Sequence, residues 1–337
     1  MKYRILGATG MSVSEYTLGA MMFGAMGNQD HGDSVRIIHQ ALDAGINIMD
    51  TADVYSKGES EVIVGKALKG RRDQVILATK FGLPMSADPN QRGGSARWIK
   101  KAVEDSLRRL DTDYIDLYQI HRLDVHTDMA ETLAALSDLI REGKVRAIGS
   151  STFPAEWIVE AQWAARRGNY HRFLTEQPRY SIFTRRLEGA VLPTALRYGM
   201  GVITYSPLNS GWLSGRADLT ASHRALTLPD QYDPALPGNA AKAEALEKLN
   251  KLAEESGVTL PHLAVAFVKA HPAVSSVIIG PRTAEQLESL LAGADLELTE
   301  EQLDRIDEIV PPGKDLNPED NYADEPPALM DKRLRRR

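Results

Sequence analysis

The sequence predicts an α/β protein of the (β/α)8, TIM-barrel class. Eight short apolar runs rich in β-branched residues alternate with segments whose apolar residues recur at helical spacing. Such alternation implies a parallel sheet with right-handed crossovers. Eight units fit a barrel of the size that 337 residues allow. A doubly wound open sheet is the alternative, but no G-x-G-x-x-G follows the first strand, so the phosphate cradle of a Rossmann site is missing.

The elements follow in order. Residues 2–6 and 11–17 flank the turn-rich Gly7-Ala8-Thr9-Gly10, the pattern of an N-terminal β-hairpin. The first barrel strand starts at Tyr16. Asp33 is a candidate cap for a helix carrying Val35, Ile38 and Leu42, which Gly45 ends. Strand 46–50 and helix 60–68 come next, then strand 75–80. Ser95 caps a helix bearing Ile99, Val103, Leu107 and Leu110. Strand 114–121, helix 128–142 and strand 144–151 continue the alternation. Pro154 suits the first turn of the following helix. Strand 173–177, helix 186–198 and strand 201–205 lead into residues 206–238, a segment rich in Gly, Pro, Ser and Asp. Loops of that length without structure of their own are usually functional or disordered. Helices 240–256 and 260–270, strand 274–279 and helix 284–292 complete the eight units. Thr299 with Gln302 makes a capping box for a last helix that Pro311 and Pro312 stop. We expect one barrel domain over 1–310 with extra helices, and a C-terminal extension over 311–337.

Composition narrows the function. A net charge of −6 argues against a nucleic-acid partner, which calls for a basic surface. The one basic cluster, Lys332 to Arg337, reads as a solvated tail. No apolar run reaches the roughly 20 residues of a membrane span, and Met1-Lys2-Tyr3-Arg4 has no apolar signal core. The absence of cysteine excludes disulfides and thiolate metal sites. The expectation is a cytoplasmic enzyme without a metal.

Four residues stand where barrel strands give way to loops, the ends at which active sites form. Asp50 closes its strand, Tyr55 follows in the loop, and Lys80 and His121 close the next two strands. Each alone has a structural explanation: a turn cap, a packed ring, a snorkelling lysine, a satisfied histidine. Together on consecutive strands they make a proton-transfer group. A tyrosine pKa near ~10 moves down one unit for about 1.4 kcal/mol. An ammonium about 4 Å away at a dielectric of ~20 supplies about 4 kcal/mol. Lys80 is expected to lower Tyr55 in this way, Asp50 to hold Lys80, and His121 to orient a carbonyl oxygen. Proton donation to a carbonyl oxygen needs a hydride donor that no side chain provides, which implies a cofactor. Ser151, Thr152 and Gln177 are candidates for its amide, and Tyr205 for stacking. Ser206, Leu208, Ser210, Gly211 and Arg216 offer close backbone approach and a cation for phosphates. Gly280 and Arg282 precede a helix N-terminus, an anion site. Met22 and Trp212 are candidate pocket walls.

Over roughly residues 3–310 the chain resembles the aldo-keto reductases. The motifs that carry this are Asp50-Thr51-Ala52-Asp53-Val54-Tyr55 with Gly58 and Ser60-Glu61, Lys80, His121, Gly143 to Ser151, Tyr205-Ser206-Pro207-Leu208, and Gly280 to Leu287. The resemblance implies an NADPH-dependent reductase of aldehydes or ketones, keto-sugars included, with Tyr55 as general acid in an Asp50–Tyr55–Lys80–His121 tetrad. It also implies carboxamide contacts from Ser151 and Gln177, and nicotinamide stacking on Tyr205. Arg216 would meet the pyrophosphate, with Arg282 and Gln286 at the 2′-phosphoadenosine end, where Arg224 joins them. Thr152 stands where many members carry Asn or Arg, and Leu290 where an Asn often faces adenine. Two alternatives stay open: a nucleotide-binding sensing or regulatory subunit with slow turnover, and a Schiff-base enzyme using Lys80. The oligomeric state is not legible.

Overall fold

The N-terminal hairpin closes one end of a barrel. The structure, a computed structural model, describes residues 1–216, 219, 225–226, 228–233, 235–320 and 332–334. In it β1 (Tyr3–Ile5) and β2 (Ser12–Ser14) pair antiparallel, Tyr3 opposite Ser14. Gly7, at φ +51°, turns the chain against the start of β9 (Gly201–Thr204). A Cβ on Gly7 would sit 2.1 Å from the Gly201 nitrogen, so only glycine fits.

The remaining strands are β3 (Tyr16–Gly19), β4 (Ile48–Asp50), β5 (Ile76–Phe81), β6 (Ile115–Ile120), β7 (Val145–Ser151), β8 (Thr175–Gln177) and β10 (Val274–Ile279). With β9 they close into a barrel in the order β10-β3-β4-β5-β6-β7-β8-β9, and every neighbouring pair is parallel. Ile48, Ala78, Leu117, Ala147, Ile203 and Ile278 fill its interior together with Leu6 and Val13 of the hairpin. Strand side chains alternate faces. Two residues on from Ile48, Ala78 and Leu117 stand Asp50, Lys80 and Gln119, so polar side chains occupy the upper layer of the same inward face.

The helices α1 (His31–Asp43), α2 (Glu59–Leu68), α3 (Ala96–Leu110), α4 (Met129–Arg141), α5 (Ala155–Gly168), α6 (Val191–Arg197), α7 (Pro237–Glu255), α8 (Leu260–Ala270), α9 (Ala284–Leu291) and α10 (Glu300–Ile309) complete the described architecture. Helix α3 shows how the sequence makes them. Ser95 caps it by accepting from Trp98 N, and Ile99, Ala102, Val103, Leu107 and Leu110 form the stripe that it buries. Each large apolar side chain so buried contributes about 1.5–3 kcal/mol. Asp111, in the left-handed region at φ 52°, ends it.

Several boundaries move from their expected places. Asp30, not Asp33, caps α1, and its carboxylate accepts from Asp33 N. Strand β4 begins at Ile48 because the Asn47 side chain bonds Ser12 O and Ser14 N of the hairpin. The helix expected over 186–198 breaks into a 3-10 turn, Arg186–Gly189, and the short α6. Glu188 in that turn reaches Tyr180, Arg185 and Gly313 N instead of helical neighbours. Residues 315–320 lie along the barrel. Asp315 caps Arg185 N and Arg186 N, and Asp320 pairs with buried Lys242 at 3.0 Å. Among the described residues no helix is long and apolar enough to cross a membrane.

Candidate active site

Barrel closure brings the ends of β4, β5, β6 and β8 together, and a buried polar cluster forms there. Lys80 Nζ, fully buried, lies 2.5 Å from Asp50 Oδ2, 3.0 Å from Thr51 O and 3.2 Å from the Tyr55 hydroxyl. The other Asp50 oxygen accepts from Gln177 at 2.8 Å and from Gln119 at 3.3 Å. Tyr55 reaches the cluster because the chain reverses sharply after it. Ser56 and Lys57 are both left-handed, at φ 48° and 55°, and Gly58 at φ 94° leads into α2. Conformations of that kind in non-glycine residues concentrate at functional sites. His121 meets the Tyr55 ring edge-on, with centroids 5.7 Å apart. The four residues singled out from strand ends therefore share one site.

Their charges follow from this packing. Burial works to discharge Lys80, but the Asp50 carboxylate and the Tyr55 hydroxyl together hold its ammonium above the ordinary range. His121 is pushed well below its usual value by burial, then by Lys80 and Arg122, so it is neutral. Its Nδ1 is buried without a partner, which leaves Nε2 as the ring nitrogen to meet a ligand. Tyr55 departs from expectation. Burial raises its pKa, and the Lys80 charge only partly offsets this while Asp50 adds to it. The Coulomb attraction of Lys80 is smaller than the cost of burying a phenolate. Tyr55 thus carries its proton through neutral pH.

The expected cofactor contacts fall into two groups. Ser151 donates to Gln177 O at 2.9 Å, and Thr152, left-handed at φ 57°, lies 3.3 Å from the Tyr205 hydroxyl. Gln177 bonds Asp50 through its amide nitrogen, so it belongs to the polar cluster as well. Beyond half-buried Tyr205 the backbone curls through left-handed Ser206, Asn209 and Ser210 to Gly211, with Leu208 half-buried between them. Arg179 and Tyr232 hold Ser210.

At the far end, Arg216 is near enough to Arg282 to lower its pKa, after the effect of burial. Gly280 is exposed just before this point. Among the described residues no carboxylate pairs with either arginine. Gln286 turns its side-chain oxygen back to Arg282 N at 2.8 Å and shapes this loop. Asn28 of the β3–α1 loop ties to Arg282 O. Arg224 lies outside the described residues. Trp212 is buried and stacked on Tyr232 with centroids 5.9 Å apart, so it is packing rather than an open pocket wall.

Three groups at the site escaped sequence reasoning. Gln119 lies two residues before His121 on the same face, so the strand period points to it. Arg122 directly follows His121. Glu176 neighbours Gln177 under the Thr152–Phe153 turn, where it accepts from Ser150 and Phe153 N, and burial lifts it to about 7.

The sequence profile of the Aldo/keto reductase family matches residues 16–311. The chain belongs to that family. Among relatives, it is 38% identical to the uncharacterized oxidoreductase YrpG of Bacillus subtilis (strain 168), over 92% of this chain and 96% of that one. The aldo-keto reductase YhdN of the same organism is 37% identical, over 86% and 88%. A probable voltage-gated potassium channel subunit beta of Oryza sativa subsp. japonica is 35% identical, over 92% and 97%. As an aldo/keto reductase the chain is an oxidoreductase of a family that works with a nicotinamide cofactor on small carbonyl compounds.

Proposed function

We propose that this protein reduces an aldehyde or ketone, keto-sugars among them, to the alcohol with NADPH, and that Tyr55 is the general acid. The observation that carries the reading is the Tyr55 hydroxyl 3.2 Å from Lys80 Nζ, with Lys80 2.5 Å from Asp50. When bound, the nicotinamide supplies the hydride. Neutral His121 Nε2 positions the carbonyl oxygen beside Tyr55. Tyr55 gives its proton to that oxygen, and the phenolate left behind is stabilised by the Lys80 ammonium. Asp50 keeps Lys80 charged, which argues against Lys80 as a Schiff-base nucleophile.

The residues present fit the cofactor. The polar ends of β7 and β8 suit a carboxamide-bearing ring, with Ser151, Thr152 and Gln177 as its contacts and Tyr205 as its stacking face. The left-handed turn from Ser206 to Gly211 and Arg216, which pairs with no carboxylate among the described residues, suit the pyrophosphate. Arg282 favours NADPH over NADH because its guanidinium forks onto phosphate. We take residues 1–310 as the catalytic unit and the cytoplasm as its setting.

The potassium channel subunit among the relatives favours a second reading, a nucleotide-sensing subunit that binds NADPH and turns over slowly. A panel of aldehydes, ketones and keto-sugars with NADPH, followed by cofactor oxidation, separates the two. The reductase reading expects turnover near or above about 1 per second on at least one class. Tight NADPH binding with no turnover on any class supports the sensor.

A further inference from the structure

Arg122 begins the loop after β6, directly beside His121. The residue is half-buried, and its Nη1 donates to the His121 carbonyl at 2.7 Å. That bond uses one of five N–H donors. Among the described residues no carboxylate forms an ion pair with it; its charge offsets only a little of the burial that raises Glu176, and a partly desolvated cation so weakly compensated is costly to keep. The nearby acids are otherwise engaged. Asp124 accepts from Gly94 N, His126 N and Thr127. Glu176 is enclosed by Ser150 and Phe153 N. Arg122 is held against His121 by that bond at the mouth end of β6, and its charge reaches both Tyr55 and His121.

We propose that Arg122 binds an anionic group of the substrate, a carboxylate or phosphate carried a few bonds from the carbonyl, and so makes anionic aldehydes and ketones the preferred substrate class. The proposal rests on the reductase reading of the site. A planar fork with free donors beside the carbonyl-binding His121 grips a carboxylate or phosphate in two places. It fixes the carbonyl against Tyr55 at the same time. The competing role, a clamp on the His121 carbonyl alone, predicts no discrimination by substrate charge.

The test compares matched pairs with NADPH: benzaldehyde against 4-carboxybenzaldehyde, and glyceraldehyde against glyceraldehyde 3-phosphate. The wild-type protein should favour an anionic member by about tenfold or more in kcat/KM, mainly through KM. The pair that shows it separates carboxylate from phosphate. In Arg122→Gln that preference should fall by about tenfold, Arg122→Lys should retain part of it, and Arg122→Glu should reverse it. Added salt should erode it in the wild type. As a check that needs no variant, benzoate should inhibit benzaldehyde reduction more tightly than benzamide. Equal efficiency for both members of each pair, an unchanged ratio in Arg122→Gln, or equal inhibition by benzoate and benzamide overturns the proposal and leaves the reductase reading intact. Failure to reduce any aldehyde overturns both.

Discussion

The side-chain amide of Gln177 donates to Asp50 Oδ1 at 2.8 Å, while Lys80 holds the other oxygen of the same carboxylate at 2.5 Å. A residue of β8 thereby steadies the ion pair of β4 and β5 across the barrel. Gln177→Ala should leave that oxygen only the longer bond from Gln119 and cost about 1–3 kcal/mol in urea unfolding. NADPH-dependent reduction should fall with it. Gln177→Glu should be worse, because it sets a second buried carboxylate against Asp50. A stability equal to wild type in both variants would show that the bond carries no load.

The arginine pair makes a claim about the nucleotide. Arg282→Ala should weaken NADPH binding by about tenfold or more and NADH binding far less, as judged by fluorescence titration. Equal losses for the two would mean that Arg282 does not read the 2′-phosphate.

Asp53 predicts a pH dependence of stability. It is buried, both carboxylate oxygens lack partners, and burial followed by the charge of Glu61 raises its pKa to about 8, with Arg109 opposing. In the unfolded chain it ionises near 3.8. Between those values the folded state holds a proton that the unfolded state has lost, so this contribution is full at low pH and fades as pH rises to about 8. Asp53→Asn should therefore raise Tm at about pH 9 relative to wild type by more than it does at about pH 5, with a difference of at least about 2 °C. A pH-independent offset would contradict this.

How far the sequence reads depends on whether a feature is local. Strand β10 was legible end to end as 274–279, because its β-branched residues Val274, Val277, Ile278 and Ile279 stand directly before the breaker pair Gly280-Pro281. The capping box of Thr299 and Gln302 and the cap at Ser95 were legible because each involves residues three apart. Asp50, Lys80 and His121 could be read because they close apolar runs at strand ends, and Tyr55 because it follows Asp50 in the same loop. The strand period places Gln119 on the face of His121, but its bond to Asp50 depends on β4, β6 and β8 meeting, which only barrel closure brings about. The break at Arg186–Gly189 depends on Glu188 finding Tyr180 and Gly313, again a tertiary event. The direction of the Tyr55 shift was misread for a related reason. Distance to one charge can be guessed from spacing, but the depth at which a phenol is buried cannot.

The account stands most directly on Tyr55 as proton donor. The decisive measurement is a single-turnover comparison of wild type and Tyr55→Phe with NADPH and the best aldehyde, alongside NADPH titration of both proteins. We expect NADPH affinity to change by less than about threefold, because the lost hydroxyl is not among the proposed nucleotide contacts. Reduction should slow by about 10²-fold or more, the scale of a missing general acid. Reduction by Tyr55→Phe at the wild-type rate would contradict the account.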